Sequence, residues 1–191
     1  MSSLAEYFIN ENKNVSGYDR DVSENTNRLE NLGINILFND SFNDINSRFI
    51  DKDDTLIVYT PAIPDSNNLL IEFRSKEFNC LKRAEVLGLV VRKGKCIAIA
   101  GTHGKTTTAS ILAHILNSSN ILTTSFIGGI LENYDTNFLY NGNKLFLVEA
   151  DEYDRSFLEL TPNYACITSI DSDHLDIYND FEGVWTLDDF E

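Results

Sequence analysis

Short apolar runs alternate with amphipathic stretches along the first half of the chain. In the amphipathic stretches the apolar residues recur at helical spacing, and Gly33 follows one of them as a helix stop. The apolar runs between them have the length of strands. The pattern predicts helices at Ser2–Asn12, Asn25–Leu32, Asn67–Phe78 and Lys82–Val91, and strands at Val15–Gly17, Ile34–Phe38 and Thr55–Tyr59.

The same order begins again after the polar segment Arg92–Lys95, which we interpret as a domain boundary. An apolar strand at Cys96–Ala100 leads through a glycine loop into a helix. The apolar residues of that helix recur at helical spacing, which predicts that they are buried. They are Ile111, Leu112, Ile115 and Leu116.

Two later apolar segments, Phe138–Tyr140 and Leu145–Glu149, flank the turn residues Asn141-Gly-Asn143 and predict a β-hairpin. Tyr164–Ile170 is predicted to be a further strand, and Val184–Glu191 begins another segment. Strands that alternate with helices predict an α/β fold with crossovers and a mainly parallel sheet.

Composition limits the class of protein. Of the 191 residues, 42% are hydrophobic, which is enough for a buried core. No apolar run approaches the roughly 18 residues of a membrane-spanning helix. The net charge of −15 opposes binding to nucleic acid and to anionic membranes, so neither is an expected partner. It also repels phosphates, and any phosphate binding therefore has to be local.

The cysteines indicate a reducing compartment. Cys80, Cys96 and Cys166 are odd in number, widely spaced and without zinc-type pairing, which is typical of small buried residues. The first residues contain no basic leader followed by a long apolar segment. We therefore expect a cytoplasmic protein.

The clearest chemical signal is the loop Gly101-Thr-His-Gly-Lys-Thr-Thr107, between a predicted strand and a predicted helix. The N–H groups of such a loop and the positive end of its helix face an anion. Lys105 adds a charge, and the first helix hydroxyl can hold Mg²⁺. The residues predicted to bind the phosphates of ATP are Gly101, Thr102, His103, Gly104, Lys105, Thr106 and Thr107.

This loop departs from the common Walker A pattern, which has another glycine five residues before the Gly-Lys pair. That position is Ile99, inside the predicted strand, so the loop is a short version. An ordinary glycine turn is the alternative. We disfavour it because strand, glycines, lysine, threonines and helix coincide in the expected order.

Acidic residues follow two of the predicted strands. Glu149 opens the acidic segment Glu149–Asp154, and parallel sheets bind ligands at the carboxyl ends of their strands. A phosphate-loop enzyme needs a carboxylate there to hold Mg²⁺; the alternative is a solvated acidic loop. Asp171-Ser-Asp-His174 follows its strand in the same way, with a helix N-cap and a bystander histidine as the alternative.

Four further residues are weaker candidates. His103 lies in the loop and could touch substrate, whereas His114 on the following helix is predicted to be structural. Asp19 follows the first strand, where an acidic residue often binds a sugar or a base. Thr60 follows another strand and could reach a ligand with its neighbouring backbone. Turn chemistry is a sufficient alternative for both Asp19 and Thr60.

In this order, these segments resemble the Mur ligases of peptidoglycan synthesis, and the resemblance covers nearly the whole chain. The loop alone would fit several sister enzymes, whereas the combination is specific. Tyr59–Pro64 and Leu81–Gly88 narrow the resemblance to the member that adds the first amino acid of the stem peptide. The matching motifs are Gly101–Thr108, Val148–Asp154, Ser156–Leu158 and Ile170–Asp176.

The resemblance implies a whole enzyme of three domains, which bind the UDP-sugar, ATP and the amino acid. Residues 1–92 would be a partial Rossmann-like domain for the UDP-sugar, without the family's first strand and glycine loop. Residues 93–191 would be the first part of the central P-loop ATPase domain. The third domain would be absent. We therefore expect a fragment of a longer ligase that is inactive by itself.

The reaction implied by the resemblance is the ATP-driven ligation of L-alanine to the carboxylate of UDP-N-acetylmuramate through an acyl phosphate. Lys105 would neutralise the β- and γ-phosphates, Thr106 and Glu149 would bind one Mg²⁺, and Glu149 and His174 would frame a second. Lys105 and His174 would thus be catalytic. The implied substrate contacts are His103, Gly128 and Gly129 beside the muramoyl group, and Asp19, Thr60, Pro61 and Ala62 in the UDP pocket.

Three alternatives stay open. A sister ligase joins a preformed tripeptide to the same UDP-sugar and shares the loop and the acidic run, although Ser156–Pro162 and Asp171–Asp176 favour the alanine enzyme. The chain could also be a non-catalytic nucleotide-binding fragment of such a ligase. An unrelated P-loop kinase or GTPase is disfavoured, because the sequence contains no Asn-Lys-x-Asp segment to read guanine.

Overall fold

The computed structural model describes residues 1–150 and 157–170. The chain divides into two compact units, Met1–Val86 and Leu87–Glu191. Within the described segments, every helix is too short or too polar to cross a membrane. The predicted domain boundary after Arg92 falls in the turn that follows a helix ending at Val91, and it stays a prediction.

The first unit consists of helices and short parallel strands. β1 pairs with β2 and β3 pairs with β4, each in a parallel two-stranded sheet. The helices are α1 (Ser2–Asn10), α2 (Glu24–Asn31) and α3 (Asn68–Ser75), and the strands are β1 (Ser16–Tyr18), β2 (Asn35–Leu37), β3 (Leu56–Tyr59) and β4 (Asn79–Lys82). Helix α4 (Arg83–Val91) begins in this unit and ends in the second. All the predicted elements of this half are confirmed. The pattern misses β4, because Asn-Cys-Leu-Lys contains no apolar run.

Helix α2 illustrates how local sequence fixes an element. The side chain of Ser23 accepts a hydrogen bond from the N–H of Thr26, and the Thr26 hydroxyl accepts one from the N–H of Ser23. This capping box satisfies donors that a helix start leaves free. At the other end Gly33 adopts a φ of +84°, and its N–H donates to the carbonyl of Glu30. Gly33 is therefore confirmed as the helix stop.

The first unit has a small apolar core between its helices and β2. Leu29, Ile34 and Ile36 are buried together, and Ala5, Ile9 and Val15 pack against them. Beside this core the carboxylate of Glu6 pairs with Arg28, with Oε1 and Nη2 2.9 Å apart. Burial raises the pKa of Glu6, and Arg28 opposes that rise. The ion pair therefore offsets the desolvation of a carboxylate on α1.

Replacing Arg28 with alanine is expected to destabilise the first unit by about 2 kcal/mol at pH 7, because Glu6 loses its charge partner in a site that is mostly buried. When a carboxyl group has a raised pKa in the folded state, the free energy of unfolding of the protein falls as the pH rises through that pKa. The deficit should therefore shrink as the pH falls from 7 towards the usual value of 4.5. Urea unfolding at pH 7 and pH 5 measures it, and the double variant with Glu6→Gln should recover most of the loss. An equal deficit in the double variant would contradict this account.

The second unit is a five-stranded sheet in the order β7-β6-β8-β5-β9. β6, β8, β5 and β9 are parallel, and β7 is antiparallel at the edge next to β6. The elements are β5 (Lys95–Ala100), α5 (Lys105–Ser118), β6 (Thr124–Leu131), β7 (Thr136–Leu139), β8 (Leu145–Glu149) and β9 (Tyr164–Ile167). The expected α/β fold with a mainly parallel sheet is confirmed.

The hairpin predicted across Asn141-Gly-Asn143 is wrong. Gly142 does adopt a turn conformation with a φ of +79°, but the strands on either side of it are not neighbours. β7 instead forms a hairpin with β6, a strand that the sequence pattern misses, and β8 crosses to the middle of the sheet. The reason is burial: Phe146, Leu147 and Val148 of β8 are fully buried, and a strand buried on both faces takes a central position.

The buried face of α5 also differs from the prediction. Ala109, Ala113 and Leu116 are buried, whereas Ile111 and Ile115 are 56% and 52% exposed. Burial of Leu116 is confirmed, and burial of the two isoleucines is wrong. Small alanine side chains allow the helix to approach β6 and β8 closely, although isoleucine is the more hydrophobic residue. The apolar residues of α5 form two adjacent stripes along the helix, and the sequence pattern does not show which stripe is buried. Packing against the sheet buries the stripe that contains the alanines.

The three cysteines are free. Cys96 is buried as expected, and burial raises the pKa of its thiol to about 11, which keeps it protonated. Cys166 on β9 is exposed in the described part of the chain, so the expectation of burial is wrong there. Cys80 is intermediate.

Candidate functional site

The phosphate loop connects the carboxyl end of β5 to the first turn of α5. Two of its glycines adopt positive φ values, +127° at Gly101 and +81° at Gly104, and Gly104 is the N-cap of α5. Glycine permits both conformations at little cost. The loop encloses a cleft of about 300 Å³ lined by Thr102, His103, Gly104, Lys105, Thr106 and Thr107. The structure thus brings together the residues that were predicted to bind phosphate.

The two residues directly after β9 brace this loop. The N–H of Thr102 donates to the carbonyl of Ser169 at 3.0 Å, and the N–H of His103 donates to the Ser169 hydroxyl at 2.9 Å. The Thr168 hydroxyl donates to the carbonyls of Ala100 and His103. Sequence analysis missed Thr168 and Ser169. Their position near the end of a predicted parallel strand was the available signal, since such ends meet at the ligand edge of a sheet.

Lys105 lies across the loop that precedes it. The residue is half-buried, and its Nζ donates to the carbonyl of Gly101 at 2.6 Å and to that of Thr102 at 3.3 Å. These contacts hold a positive charge at the start of α5, where the helix already favours anions. In a chain of net charge −15, this is the local attraction that a phosphate ligand requires.

The carboxylate of Glu149 is held from two sides. Thr106 Oγ1 donates to its Oε1 at 2.6 Å, and the N–H of Gly128 donates to its Oε2 at 2.7 Å. Each carboxylate oxygen still has a second lone pair. Glu149, at the end of β8, is therefore a fixed and partly exposed acceptor beside the first turn of α5.

Gly128 and Gly129 allow this close approach. A Cβ atom at Gly128 would lie 2.8 Å from both carboxylate oxygens of Glu149, and one at Gly129 would lie 2.8 Å from Cγ2 of Thr106. The structure thus places both glycines against the predicted metal ligands. Their predicted contact with a muramoyl group stays a prediction.

A hydroxyl and a carboxylate fit Mg²⁺, which prefers hard oxygen ligands. In the described segments, no three His, Cys, Asp or Glu residues come together as a metal site. A Mg²⁺ ion bound to nucleotide phosphates needs only one or two protein carboxylates, because phosphates and water complete its shell. Thr106 and Glu149 are sufficient for that kind of site. His174, predicted to frame a second Mg²⁺ with Glu149 and to be catalytic, lies outside the described residues.

The predicted UDP residues lie in the first unit. Asp19 is exposed after β1, and its carboxylate accepts a hydrogen bond from the N–H of Asp21 at 3.4 Å. Thr60 is half-buried after β3, in a turn closed by a hydrogen bond from the N–H of Ile63 to its carbonyl, and Pro61 and Ala62 are exposed. β1 and β3 belong to separate two-stranded sheets. Each candidate follows the carboxyl end of a strand, and their role stays a prediction.

His114 has a structural contact, as predicted. Its Nδ1 lies 3.0 Å from the hydroxyl of Tyr134, in the turn between β6 and β7. His103 is exposed at the cleft, where its backbone is tied to β9. The two histidines therefore differ in surroundings: His103 lines the candidate site and His114 supports the hairpin beside it.

Comparison with family models gives two matches that together cover almost the whole chain. Residues 1–95 match the model described as "Mur ligase family, catalytic domain". Residues 99–186 match the model described as "Mur ligase middle domain".

Several curated proteins are similar over most of this chain. The UDP-N-acetylmuramate–L-alanine ligase of Flavobacterium psychrophilum is 51% identical over 94% of the chain, which covers 40% of that protein. The ligase of the same name from Flavobacterium johnsoniae is 48% identical over 96% of the chain and is covered to 41%. The chain thus spans about 40% of the length of the curated relatives it matches.

Solved structures share the fold. The UDP-N-acetylmuramate–alanine ligase of Thermotoga maritima matches with a TM-score of 0.81 and 28% identity, over 96% of this chain and 42% of that one. The UDP-N-acetylmuramate:L-alanyl-gamma-D-glutamyl-meso-diaminopimelate ligase of Neisseria meningitides matches with a TM-score of 0.84 and 25% identity, over 96% and 61% of the two chains.

Proposed function

The chain belongs to the Mur ligase family, and from this premise we propose that it contributes the ATP site of a ligase that joins L-alanine to the carboxylate of UDP-N-acetylmuramate. The observation that carries the proposal is the Glu149 carboxylate, fixed by Thr106 and Gly128 beside a phosphate loop. This pairing is what an ATP-dependent enzyme requires: a cradle for the phosphates and an acidic oxygen for their metal.

Each residue of the loop has a role in this proposal. The loop amides and Lys105 bind the β- and γ-phosphates of ATP, and Thr106 and Glu149 hold Mg²⁺. The ion would supply charge neutralisation on the phosphates. Thr168 and Ser169 keep the loop in its open shape through the hydrogen bonds to His103. Support comes from the short distances and from the match of residues 99–186 to the family's middle domain.

The reaction needs an activated carboxylate, because a carboxylate alone is a poor acylating agent. The muramoyl carboxylate attacks the γ-phosphorus and ADP leaves, which gives an acyl phosphate; the amine of L-alanine then attacks the acyl carbon and phosphate leaves. Phosphoryl transfer depends mainly on positioning and charge neutralisation. Lys105 serves both needs, since it sits at the start of α5 with its ammonium group over the loop.

The choice of L-alanine over a preformed tripeptide rests on the curated relatives, which are 45–51% identical and carry the L-alanine ligase name. The Neisseria meningitides structure keeps the tripeptide enzyme as the second candidate. Phosphate release by a full-length ligase that contains this chain would separate them. Stimulation by L-alanine with UDP-N-acetylmuramate is expected, and stimulation by the tripeptide alone would refute the L-alanine assignment.

We place this reaction in the cytoplasm, since ATP and UDP-sugars are found there and the three cysteines are free. UDP-N-acetylmuramate would contact the first unit through Asp19 and residues 60–62. Because the chain spans about 40% of its relatives, we expect the 191-residue chain to bind MgATP without forming UDP-N-acetylmuramoyl-L-alanine. Formation of that product by the purified chain would contradict this expectation.

Replacing Glu149 with glutamine is expected to raise the Mg²⁺ concentration needed for tight ATP binding by about 10- to 100-fold, because a neutral amide is a poor ligand for a hard cation. Binding of ATP in EDTA should not weaken, since the loop amides and Lys105 are unchanged. Calorimetric titration of ATP into the 191-residue chain at several Mg²⁺ concentrations measures both effects.

The matched control is Glu132→Gln, which removes the same charge from an exposed residue of the same unit. It should bind MgATP like the unmodified chain. If Glu149→Gln and Glu132→Gln behave alike, the carboxylate of Glu149 does not hold the metal.

A further inference from the structure

β6 carries a bulge at the glycines that border Glu149. β6 and β7 stay in register up to Phe126 and resume pairing at Leu131, so that Ile127–Ile130 faces a single residue of β7. Gly128 lies within this bulge, and its N–H donates to Glu149 Oε2 at 2.7 Å. A bulge interrupts the ladder and re-aims the backbone groups within it. The position of the Gly128 donor therefore depends on where β6 resumes its pairing.

The turn beyond the bulge is tied to helix α5 through Tyr134. The phenol oxygen of Tyr134 accepts a hydrogen bond from Nδ2 of Asn117 at 3.0 Å and lies 3.0 Å from Nδ1 of His114. Because Asn117 is the donor in its bond, the phenol proton is available to a neutral His114. The rings of Tyr134 and His114 are 5.9 Å apart between centroids. Both polar partners belong to the later turns of α5.

Packing holds the same turn. Tyr134 is half-buried and lies against the core cluster that contains Ile127 and Leu131, the residues at either end of the bulge. Ala109 and Ala113 of α5 belong to that cluster as well. Ring and hydroxyl together therefore fix the tip of the β6–β7 hairpin relative to the helix.

Helix α5 is linked to both carboxylate oxygens of Glu149. Its first turn supplies Thr106, whose hydroxyl donates to Oε1 at 2.6 Å. Its later turns hold Tyr134, and through the hairpin they set the place of Gly128, which donates to Oε2. Because α5 is one continuous helix of 14 residues, Thr106 and the residues that hold Tyr134 keep fixed positions relative to each other.

We propose that Tyr134 is a positioning residue for the metal-binding carboxylate of Glu149. It acts through the hairpin bulge and contacts neither nucleotide nor metal. The inference rests on the proposed metal site and extends it to a side chain outside the phosphate loop and outside the ligand set.

The test is Tyr134→Phe in the 191-residue chain, which keeps the packed ring and removes the hydroxyl. The Mg²⁺ concentration for half-maximal enhancement of ATP binding should rise about 2- to 10-fold, the effect of losing one neutral hydrogen bond. ATP binding in EDTA should not change, because Lys105 and the loop amides do not depend on the hairpin. A purely structural role would weaken both measurements together.

Two further variants keep the result interpretable. Tyr164→Phe removes a phenol hydroxyl from β9 in the same sheet and should leave the Mg²⁺ dependence unchanged. His114→Ala removes one partner of Tyr134 from the exposed side of α5, and a smaller rise in the required Mg²⁺ is expected. His114→Ala also supplies the test if Tyr134→Phe fails to fold, as judged by circular dichroism.

The outcomes separate this inference from the proposed function. Suppose that Glu149→Gln raises the Mg²⁺ concentration needed for ATP binding, whereas Tyr134→Phe and His114→Ala leave that concentration unchanged. The positioning role is then overturned and the metal site stands. If Glu149→Gln also responds normally, the metal site itself fails. Equal loss of ATP binding with and without Mg²⁺ in Tyr134→Phe would likewise overturn the positioning role.

Discussion

Replacing Lys105 with alanine is expected to weaken ATP binding about 10- to 100-fold, which corresponds to the loss of charged hydrogen bonds of about 1.5–3 kcal/mol. Nζ of Lys105 lies 2.6 Å from the carbonyl of Gly101, and Lys105 lines the cleft, so its charge is already at the candidate phosphate site. In a full-length ligase that contains this chain, turnover should fall further, by at least about 10²–10³-fold, because the charge that Lys105 neutralises grows during phosphoryl transfer.

The measurement is calorimetric ATP binding to the 191-residue chain, with circular dichroism as the check on folding. The variant should fold, because Lys105 is only half-buried and its ammonium group donates to carbonyls of the loop directly before it. Lys144→Ala is the matched control, since it removes the same charge from an exposed residue of the same unit. Unchanged ATP binding in a folded Lys105→Ala chain would rule out the phosphate-cradle function of the loop.

Replacing Gly101 with alanine is expected to abolish detectable ATP binding. Gly101 has a φ of +127°, a backbone conformation that residues other than glycine rarely adopt. Its Cβ would also overlap the hydroxyl of Thr168 and lie 2.9 Å from the backbone N of Ser169. These atoms brace the loop and cannot move without releasing it. The expected cost is several kcal/mol of local strain, enough to displace the loop amides from the phosphates.

Two other glycines isolate the cause. Gly142 has a φ of +79°, and among the described residues no atom outside its immediate chain neighbours lies within 4 Å of the Cβ that alanine would add. Gly142→Ala should therefore cost only about 1–2 kcal/mol of stability and no ATP affinity. Gly104 has a φ of +81°, and a Cβ added there would lie 3.8 Å from the nearest described atom, Cβ of Thr168. The loss of ATP affinity in Gly104→Ala should therefore be intermediate. Stability and ATP affinity of the three variants, measured side by side, test this order. If Gly101→Ala binds ATP as tightly as the unmodified chain, the contacts of Thr168 and Ser169 with the loop are not needed for ATP binding.

The phosphate loop was predictable because its chemistry is local. Strand, glycines, lysine and threonines follow one another within Cys96–Thr107, and the structure places them as one loop. Glu149 was predictable for a related reason: it ends an apolar run, and the carboxyl ends of parallel strands meet at one edge. The hydrogen bond between Thr106 and Glu149 is the contact that this rule leads one to expect.

The partners of these residues were not predictable. Gly128, Thr168 and Tyr134 are far from Glu149 and the loop in sequence. The position of Thr168 near a strand end indicated the ligand edge of the sheet, but it did not identify the contact. Thr168 reaches the loop because β9 pairs with β5, and Gly128 reaches Glu149 because β6 pairs with β8. Strand order is a property of the whole sheet, and a two-residue turn motif such as Asn141-Gly142 does not determine it.

By itself, the sequence determined the α/β class, the approximate positions of the helices, the phosphate loop and the acidic residue that faces it, because each depends on neighbours within a few residues or on a family resemblance that spans the chain. Tertiary structure decided which strands are neighbours, which face of α5 is buried, and how Glu149 is held. Those outcomes depend on burial and close packing between distant segments: the alanines of α5 pack against the sheet while Ile111 and Ile115 stay exposed, and β8, with the three consecutive fully buried residues Phe146–Val148, occupies the centre.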